Sequence, residues 1–336
     1  MSYYVTGLLL IDAPASALNN GQAENNESKV KAIRVPGQGD YPYVSAQSFR
    51  YWLRDTLSDQ FGSEWTASKV YTAGAGSKQQ AYTEGDPIDY PDDDLFGYMR
   101  ATKERTVTRV SPFRASTLVS IAPAPIVSDF GVMARAEKQE GDKEGVVLHA
   151  HQFYRAVLQG MFSIDLQSAG TFTNQMRSGF QNLAQDTLEK ASNLGLTPVP
   201  ALRSFRLPLQ ERIRRVQVLL RALGRIQGGA KQTLHYTDVA PVFVMAAVTR
   251  GGNNLFGRAV TTDARNRPTL HWDVLNEIRD VQGDSLASSV FVGRSAGFMD
   301  DAVEMLREQY QISPIHPRQA LDALADEIAL HPEWWE

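Results

Sequence analysis

The chain has 336 residues, 43% of them hydrophobic and 21% charged, and a formal net charge of −4. Such a chain can bury one large core, with or without insertions, which excludes a disordered protein, and its lack of cysteine excludes disulfides, thiolate metal sites and cysteine nucleophiles. Its longest apolar runs, such as 239–248, fall far short of the roughly 20 residues a membrane helix needs, and its start, MSYYVTG, has no basic n-region; a cytoplasmic protein with no membrane partner is expected.

In chain order, VTGLLLI (Val5 to Ile11) reads as a buried strand, residues 13–29 as a polar loop, and Val30 to Val35 as a short strand. Ser45 then stands at the N-cap of a helix whose apolar positions Phe49, Trp52, Leu53, Leu57 and Phe61 recur at three- and four-residue steps. Residues 66–146 have no sustained period and read as an insertion with a hairpin. From Tyr154 to Leu166 apolar and polar residues alternate, the pattern of a half-buried strand. A polar stretch over 167–204 is expected to be mobile. A second helix starts at Pro208, buries Ile213, Val216, Leu220 and Leu223, and is expected to end at the glycine pair Gly228–Gly229. A strand over 239–248 follows, then amphipathic helices near 299–310 and 318–330 in a C-terminal extension, 250–336. Two helices interleaved with strands predict an α+β fold with a ferredoxin-like core.

The net acidity requires any nucleic-acid site to be local. Residues 199–231 hold Arg203, Arg206, Arg212, Arg214, Arg215, Arg221, Arg225 and Lys231 against Glu211 alone, and 99–116 hold Arg100, Lys103, Arg105, Arg109 and Arg114 against Glu104, while 84–94 (EGDPIDYPDDD) is acidic. On the first helix Gln47, Arg50 and Arg54 share a face near the N-terminus, suited to a phosphate but equally to a solvated polar face. On the second, Arg214, Arg221 and Arg225 share a face that leads into GGAKQ, where glycines either admit a nucleic-acid backbone or simply cap the helix. In KERTVTRVSPFRAS, Val110, Pro112 and Phe113 form an apolar tip among Arg105, Arg109 and Arg114 that either wedges between bases or packs on the body of the protein.

Enzyme-like features are few. Asp92, Asp93 and Asp94 could hold Mg²⁺, although adjacent aspartates point in alternate directions, and a helix opening or solvated loop explains them better. His149 and His151 lack the companions of a zinc site. There is no nucleophile elbow, Walker motif or dinucleotide fingerprint, so no catalytic residue, metal or cofactor is expected.

YPYVSAQSFRYWLRDTL (Tyr41 to Leu57), DDLFGYM (Asp93 to Met99), RVSPFRAS (Arg109 to Ser116) and GGAKQ (Gly228 to Gln232) follow one another as they do in the DevR branch of the RAMP superfamily. From the first strand to about residue 250 the chain resembles the Cascade backbone subunits of type I CRISPR systems, type I-B-like, most strongly at the S-x-Q-S-F-[KR] helix start and the D-L-F-G stretch. The resemblance implies a single domain over 1–336: a modified ferredoxin-like, RNA-recognition-motif palm, a helical insertion and a β-hairpin thumb within 66–146. It implies non-catalytic copies polymerising along a guide RNA with other Cascade subunits and presenting that guide to target DNA, so that base pairing reads the sequence. Carried across, Ser45, Gln47, Ser48, Arg50 and Arg54 would grip guide phosphates. Gly228, Gly229, Lys231 and Gln232 would border the same groove, and Lys103, Arg105, Arg109, Pro112, Phe113 and Arg114 would belong to the thumb. In such a filament the acidic stretch 84–94 would face a basic surface of the next copy. Two other readings stand beside this one: a type III-like RNA-guided ribonuclease using Asp93 or Asp94, and a structural filament protein that needs no RNA.

Overall fold

The computed structural model describes residues 2–24, 26–74, 79–101, 106–133, 147–173 and 181–336. Its centre is one antiparallel sheet. Strand β1 (Tyr3–Ser16) is followed by helix α1 (Ala46–Gln60) and the short helix α2 (Pro91–Phe96). Strands β2 (Phe113–Ala115), β3 (Leu118–Ser120), β4 (Ile126–Met133) and β5 (Val147–Asp165) come next, then helix α3 (Leu209–Leu223) and strand β6 (Phe243–Arg250). β1 lies between β6 and β5, and β2 and β3 pair with the far edge of β5. Chain order β-α-β-β-α-β with β1 central and the last strand beside it is the ferredoxin-like arrangement predicted above.

The apolar run in β1 is continuous because both faces of the strand are covered. Val5, Leu9 and Ile11 join the core under α1 and α3, whereas Leu8 and Leu10 join a second core on the other face. β6 divides likewise, Val244, Ala246 and Val248 against Phe243, Met245 and Ala247. The second core is closed by the C-terminal third: helix α4 (Trp272–Val281), edge strand β7 (Phe291–Arg294) and helix α5 (Val303–Tyr310). Helix α6 (Pro317–Leu330) packs beside α3 in the first core, and the HPEWWE end follows it there, where Trp335 donates Nε1–H to Ile328 O (3.0 Å) and accepts a bond from Arg212 at its carbonyl (2.9 Å).

Four details depart from the sequence reading. Residues 13–29 are not all loop: β1 runs to Ser16, and Asn20–Glu24 pairs with Glu27–Val30. Helix α3 ends at Leu223 beside Gly224, so Gly228–Gly229 lies in a loop beyond it rather than at its cap. Within 66–146, β2 and β3 are strands of the central sheet, and the longest hairpin is β4 on β5, paired from Ile126–Tyr154 to Met133–Val147. The stretch 167–204, expected to be mobile, and the two residues after it carry a small three-stranded sheet, Thr171–Thr173, Thr197–Val199 and Ser204–Arg206, and a helix, Gln185–Asn193. Among the described residues no helix is long and apolar enough to cross a membrane.

Candidate nucleic-acid interface

The N-terminus of α1 and the glycine loop, distant in sequence, meet through the end of β1. Ser45 caps α1 and accepts the Ser48 N–H at 3.4 Å. Asn19 clamps this cap from outside, receiving the Ser45 N–H (3.0 Å) and donating Nδ2–H to Ser48 Oγ (2.9 Å). The neighbouring Leu18 carbonyl receives the Ala230 N–H at 3.0 Å, and Thr56 of α1 takes the Gln227 N–H at 3.0 Å. The glycine loop is therefore laid across α1. Gly228 (φ +145) lies directly on the buried Trp52 ring, where a Cβ would come 2.6 Å from Cγ, and Gly229 has φ +103. Gln232 holds the loop closed with bonds to the Gly228 carbonyl and, at 3.0 Å, the Thr237 carbonyl.

Between them runs an open groove of about 490 Å³, walled by Leu18, Tyr51 and Trp52 and edged by Asn19, Gln47, Ser48, Asp55 and the 228–230 backbone. First-turn N–H groups of a helix have no intrahelical acceptors and carry the positive end of its dipole, which suits an anion. Lys231, at φ +58, follows the glycines and has no acidic partner among the described residues. Ser45, Gln47, Ser48, Gly228, Gly229, Lys231 and Gln232 thus come together.

The arginines expected beside them are committed elsewhere. Arg50 donates to Phe96 O (2.5 Å), Phe113 O (2.8 Å) and Ser111 Oγ (3.2 Å), and burial, with Arg54 alongside, pulls its pKa down to about 10. Arg54 pairs with Asp92 at 2.8 Å and lies over the Phe96 ring. Both fasten α1 to the 92–113 segment. Phe113 is fully buried on β2, edge-on to Phe96, and Pro112 is buried, so two residues of the expected apolar tip are core contacts; among the described residues of that group Val110 and Arg114 are exposed. Lys103 and Arg105 lie outside the described residues. Arg214 pairs with Glu211 (2.7 Å), and Arg221 and Arg225 face α6, pairing with Asp326 (2.9 Å) and Asp322 (2.8 Å). Arg221 and Arg225 thus form an interhelix seam, and Arg214 is held by its own helix. Arg225→Met is expected to cost about 1 kcal/mol in urea unfolding without changing RNA affinity in a filter-binding assay.

Of the acidic stretch 84–94, Asp92 to Asp94 open helix α2, while Asp89 is exposed and pairs with Lys190 at 2.5 Å. Asp92, Asp93 and Asp94 are all buried in α2. Asp94 accepts from Arg109, from Arg215 (2.9 Å) and from the Gly170 N–H (3.1 Å), while Arg109 also binds Asp94 O, Thr171 O and Ser168 O (2.8–2.9 Å). Asp93 receives the Asp86 N–H (3.0 Å), and burial pushes its pKa up despite that bond. In this arrangement none of the three carboxylates is open to solvent.

A family model of the CRISPR-associated negative auto-regulator DevR/Csa2 matches residues 10–256. The chain belongs to the DevR/Csa2 family. Comparison with curated proteins returns no match. Among solved structures, a chain of a CRISPR RNA-guided surveillance complex is 13% identical with a TM-score of 0.54, covering 97% of this chain and 99% of that one. A chain of a CRISPR RNA-guided surveillance complex, pre-nicking, is also 13% identical, with a TM-score of 0.57 over 96% and 99%. At that identity the likeness is one of fold.

In this DevR/Csa2 chain, sequence reasoning missed Leu18, Asn19, Tyr51 and Asp55, of which Tyr51 is 67% exposed beside the groove. Asn19 carried no local signal, since its partners lie 26 and 29 residues away. The HxH pair also resolves: His149 is exposed, whereas His151 packs against His235, ring centroids 5.4 Å apart, with Phe153 against both. Burial, then His151 and Lys231, hold the His235 pKa below its usual value. This cluster ties the base of the β4–β5 hairpin to the turn that follows the glycine loop.

Proposed function

We propose that the chain is a guide-RNA-binding backbone subunit of a CRISPR surveillance complex, non-catalytic, whose copies line up along the guide with other subunits and present it for pairing with target DNA. The observation that carries this reading is the groove between the capped N-terminus of α1 and the glycine loop, with Lys231 the next residue along the chain from its 228–230 edge. Membership of the DevR/Csa2 family, and a fold shared along nearly the whole chain with subunits of RNA-guided surveillance complexes, support it.

Backbone N–H groups and one lysine recognise phosphates without reading bases, which suits a subunit that accepts any guide sequence. Burial of Asp93 and Asp94 weighs against the ribonuclease reading. Co-expression with a repeat-spacer RNA tests the proposal: an oligomer co-purifying with RNA and giving a regular nuclease footprint supports it, whereas RNA-free protein under both conditions removes it. Binding is expected to weaken steeply with salt. Lys231→Ala should lower the slope of log affinity against log salt by about one, the loss of a single phosphate contact, and Gln47→Ala should weaken binding without changing the slope. A protein that polymerises without RNA would show no such dependence.

A further inference from the structure

In β5, Tyr154, Ala156 and Leu158 point into the core under α1 and α3, so the alternation of a strand sends Arg155 and Val157 to the opposite face of the sheet. Val157 packs there against the second core, while Arg155 stays exposed. Beside it stands a hairpin, Val260–Thr262 on Pro268–Leu270, whose turn is fixed by Asp263. The Asp263 carboxylate accepts the Arg265 N–H (2.8 Å) and the Arg267 N–H (2.9 Å), and its own N–H donates to the Arg267 carbonyl (2.9 Å). Arg155, Arg265 and Arg267 line one cavity of about 360 Å³, over a floor that includes Pro123 and Pro268. Ser120 and Ile121 belong both to it and to a second cavity of about 430 Å³, where Thr117 and Thr261 add hydroxyl groups.

Three guanidinium groups thus line the first cavity against one carboxylate, Asp12. Asp263 neutralises Arg267 at 2.7 Å, but the side chains of Arg155 and Arg265 are exposed and have neither ion pair nor hydrogen bond among the described residues. Arginines that serve the fold of this chain are bonded to carbonyls or carboxylates, as Arg50, Arg109, Arg212 and Arg215 are. Arg155 and Arg265 hold nothing together, and two guanidinium forks at one opening suit an oxyanion.

We propose that this cavity holds the phosphodiester backbone of a single nucleic-acid strand, with Arg155 and Arg265 on its phosphates. The proposal rests on the guide-binding reading and adds a second stretch to the strand path. Ser16 of β1 pairs with Tyr154, the residue before Arg155, and Leu18 and Asn19, just beyond β1, wall the α1 groove; the two sites lie on opposite faces of one end of the sheet. No aromatic ring lines either cavity, so the strand is held by its backbone and not by stacked bases. The same chemistry serves two sources, the guide RNA continuing past the groove or the DNA strand paired with it.

Arg155→Ala, Arg265→Ala and the double variant test this across a salt series, with two probes: a labelled repeat-spacer RNA, and a labelled DNA complementary to the spacer captured by the RNA-bound protein. Both side chains are exposed, so each variant should unfold at the wild-type temperature. Each single change should lower the slope of log affinity against log salt by about 0.7, and the double change by about 1.4, as single-strand phosphate contacts do; the double variant should bind about tenfold more weakly at low salt. A loss with the RNA probe assigns the cavity to the guide, and a loss confined to the DNA probe assigns it to the paired strand. Arg258→Ala, exposed and paired with Glu277 away from the cavity, should change neither. Wild-type protein that binds no RNA overturns the guide-binding reading and this proposal together. A slope lowered by Lys231→Ala but by neither arginine change overturns this proposal alone. So does a double variant that binds both probes normally but forms smaller oligomers, because the occupant is then an acidic surface of a second copy.

Discussion

Replacing Asp94 with alanine is expected to lower stability by about 3–5 kcal/mol, enough to leave much of the chain unfolded at 37 °C. Asp94 is fully buried and is the carboxylate between Arg109 and Arg215, both themselves buried. Removing it strands the Arg109 guanidinium and leaves Arg215 with Glu211 (2.8 Å) as its remaining carboxylate, in a region where α2, α3, the Thr106–Arg109 strand and the 166–171 turn meet. Their carbonyl partners, Thr171 and Ser168 for Arg109 and Pro87 (2.7 Å) and Ile88 (2.6 Å) for Arg215, accept hydrogen bonds but carry no countercharge. Urea unfolding followed by tryptophan fluorescence measures the loss. The triple change Asp94→Leu, Arg109→Met, Arg215→Met should recover much of it, because apolar groups of similar volume need no compensation. A wild-type midpoint for Asp94→Ala would show that the network does not hold these elements together. A folded Asp94→Ala that lost an RNA-cleaving activity would restore the ribonuclease reading.

The same residues show where sequence patterns stop being informative. Helices α1 and α3 were legible because their apolar spacing is a local property: Phe49, Trp52, Leu53 and Leu57 are buried as the spacing requires, as are Ile213, Val216, Leu220 and Leu223. The sheet order follows from interleaving such elements. Charge is different, since the meaning of an arginine depends on what faces it. Arg109 and Arg215 find Asp94 from 15 and 121 residues away, and Arg225 finds Asp322 from 97, so a count of basic residues does not tell a free cationic surface from an internal ion-pair network. Three consecutive aspartates read as a helix opening or a solvated loop; they do open α2, but buried, with Arg54 and the Arg109–Arg215 pair neutralising two of them and the Asp86 N–H serving the third. Phe113 fails similarly: flanking arginines suggest a wedge for bases, but Arg50 bonds its carbonyl and the ring fills the core.

In the candidate groove the polar residues at the α1 cap and the glycines were legible, because a cap and a glycine pair are local signals, whereas the part that joins them was not. That junction makes Gly228 the position of largest expected effect on RNA binding. Its φ of +145 is a conformation L side chains rarely adopt, and an alanine Cβ would lie 2.6 Å from Cγ of Trp52, whose ring is buried and cannot withdraw. The loop must therefore lift off α1, carrying Lys231 with it and pulling on the Ala230–Leu18 bond that closes the groove. Gly228→Ala is expected to cost about 1–3 kcal/mol of stability from backbone strain and overpacking and to weaken RNA binding about tenfold or more. Gly229→Ala should be milder, since its Cβ meets only the flexible ends of Leu18 and Gln232, at 2.7 Å each. Anisotropy with a labelled guide RNA at fixed salt, alongside thermal unfolding of each variant, separates the two effects. Gly228→Ala that loses stability yet binds RNA like wild type would leave the loop a structural brace and remove the groove from the RNA path; loss of affinity well beyond the loss of folded protein places the guide against the glycines.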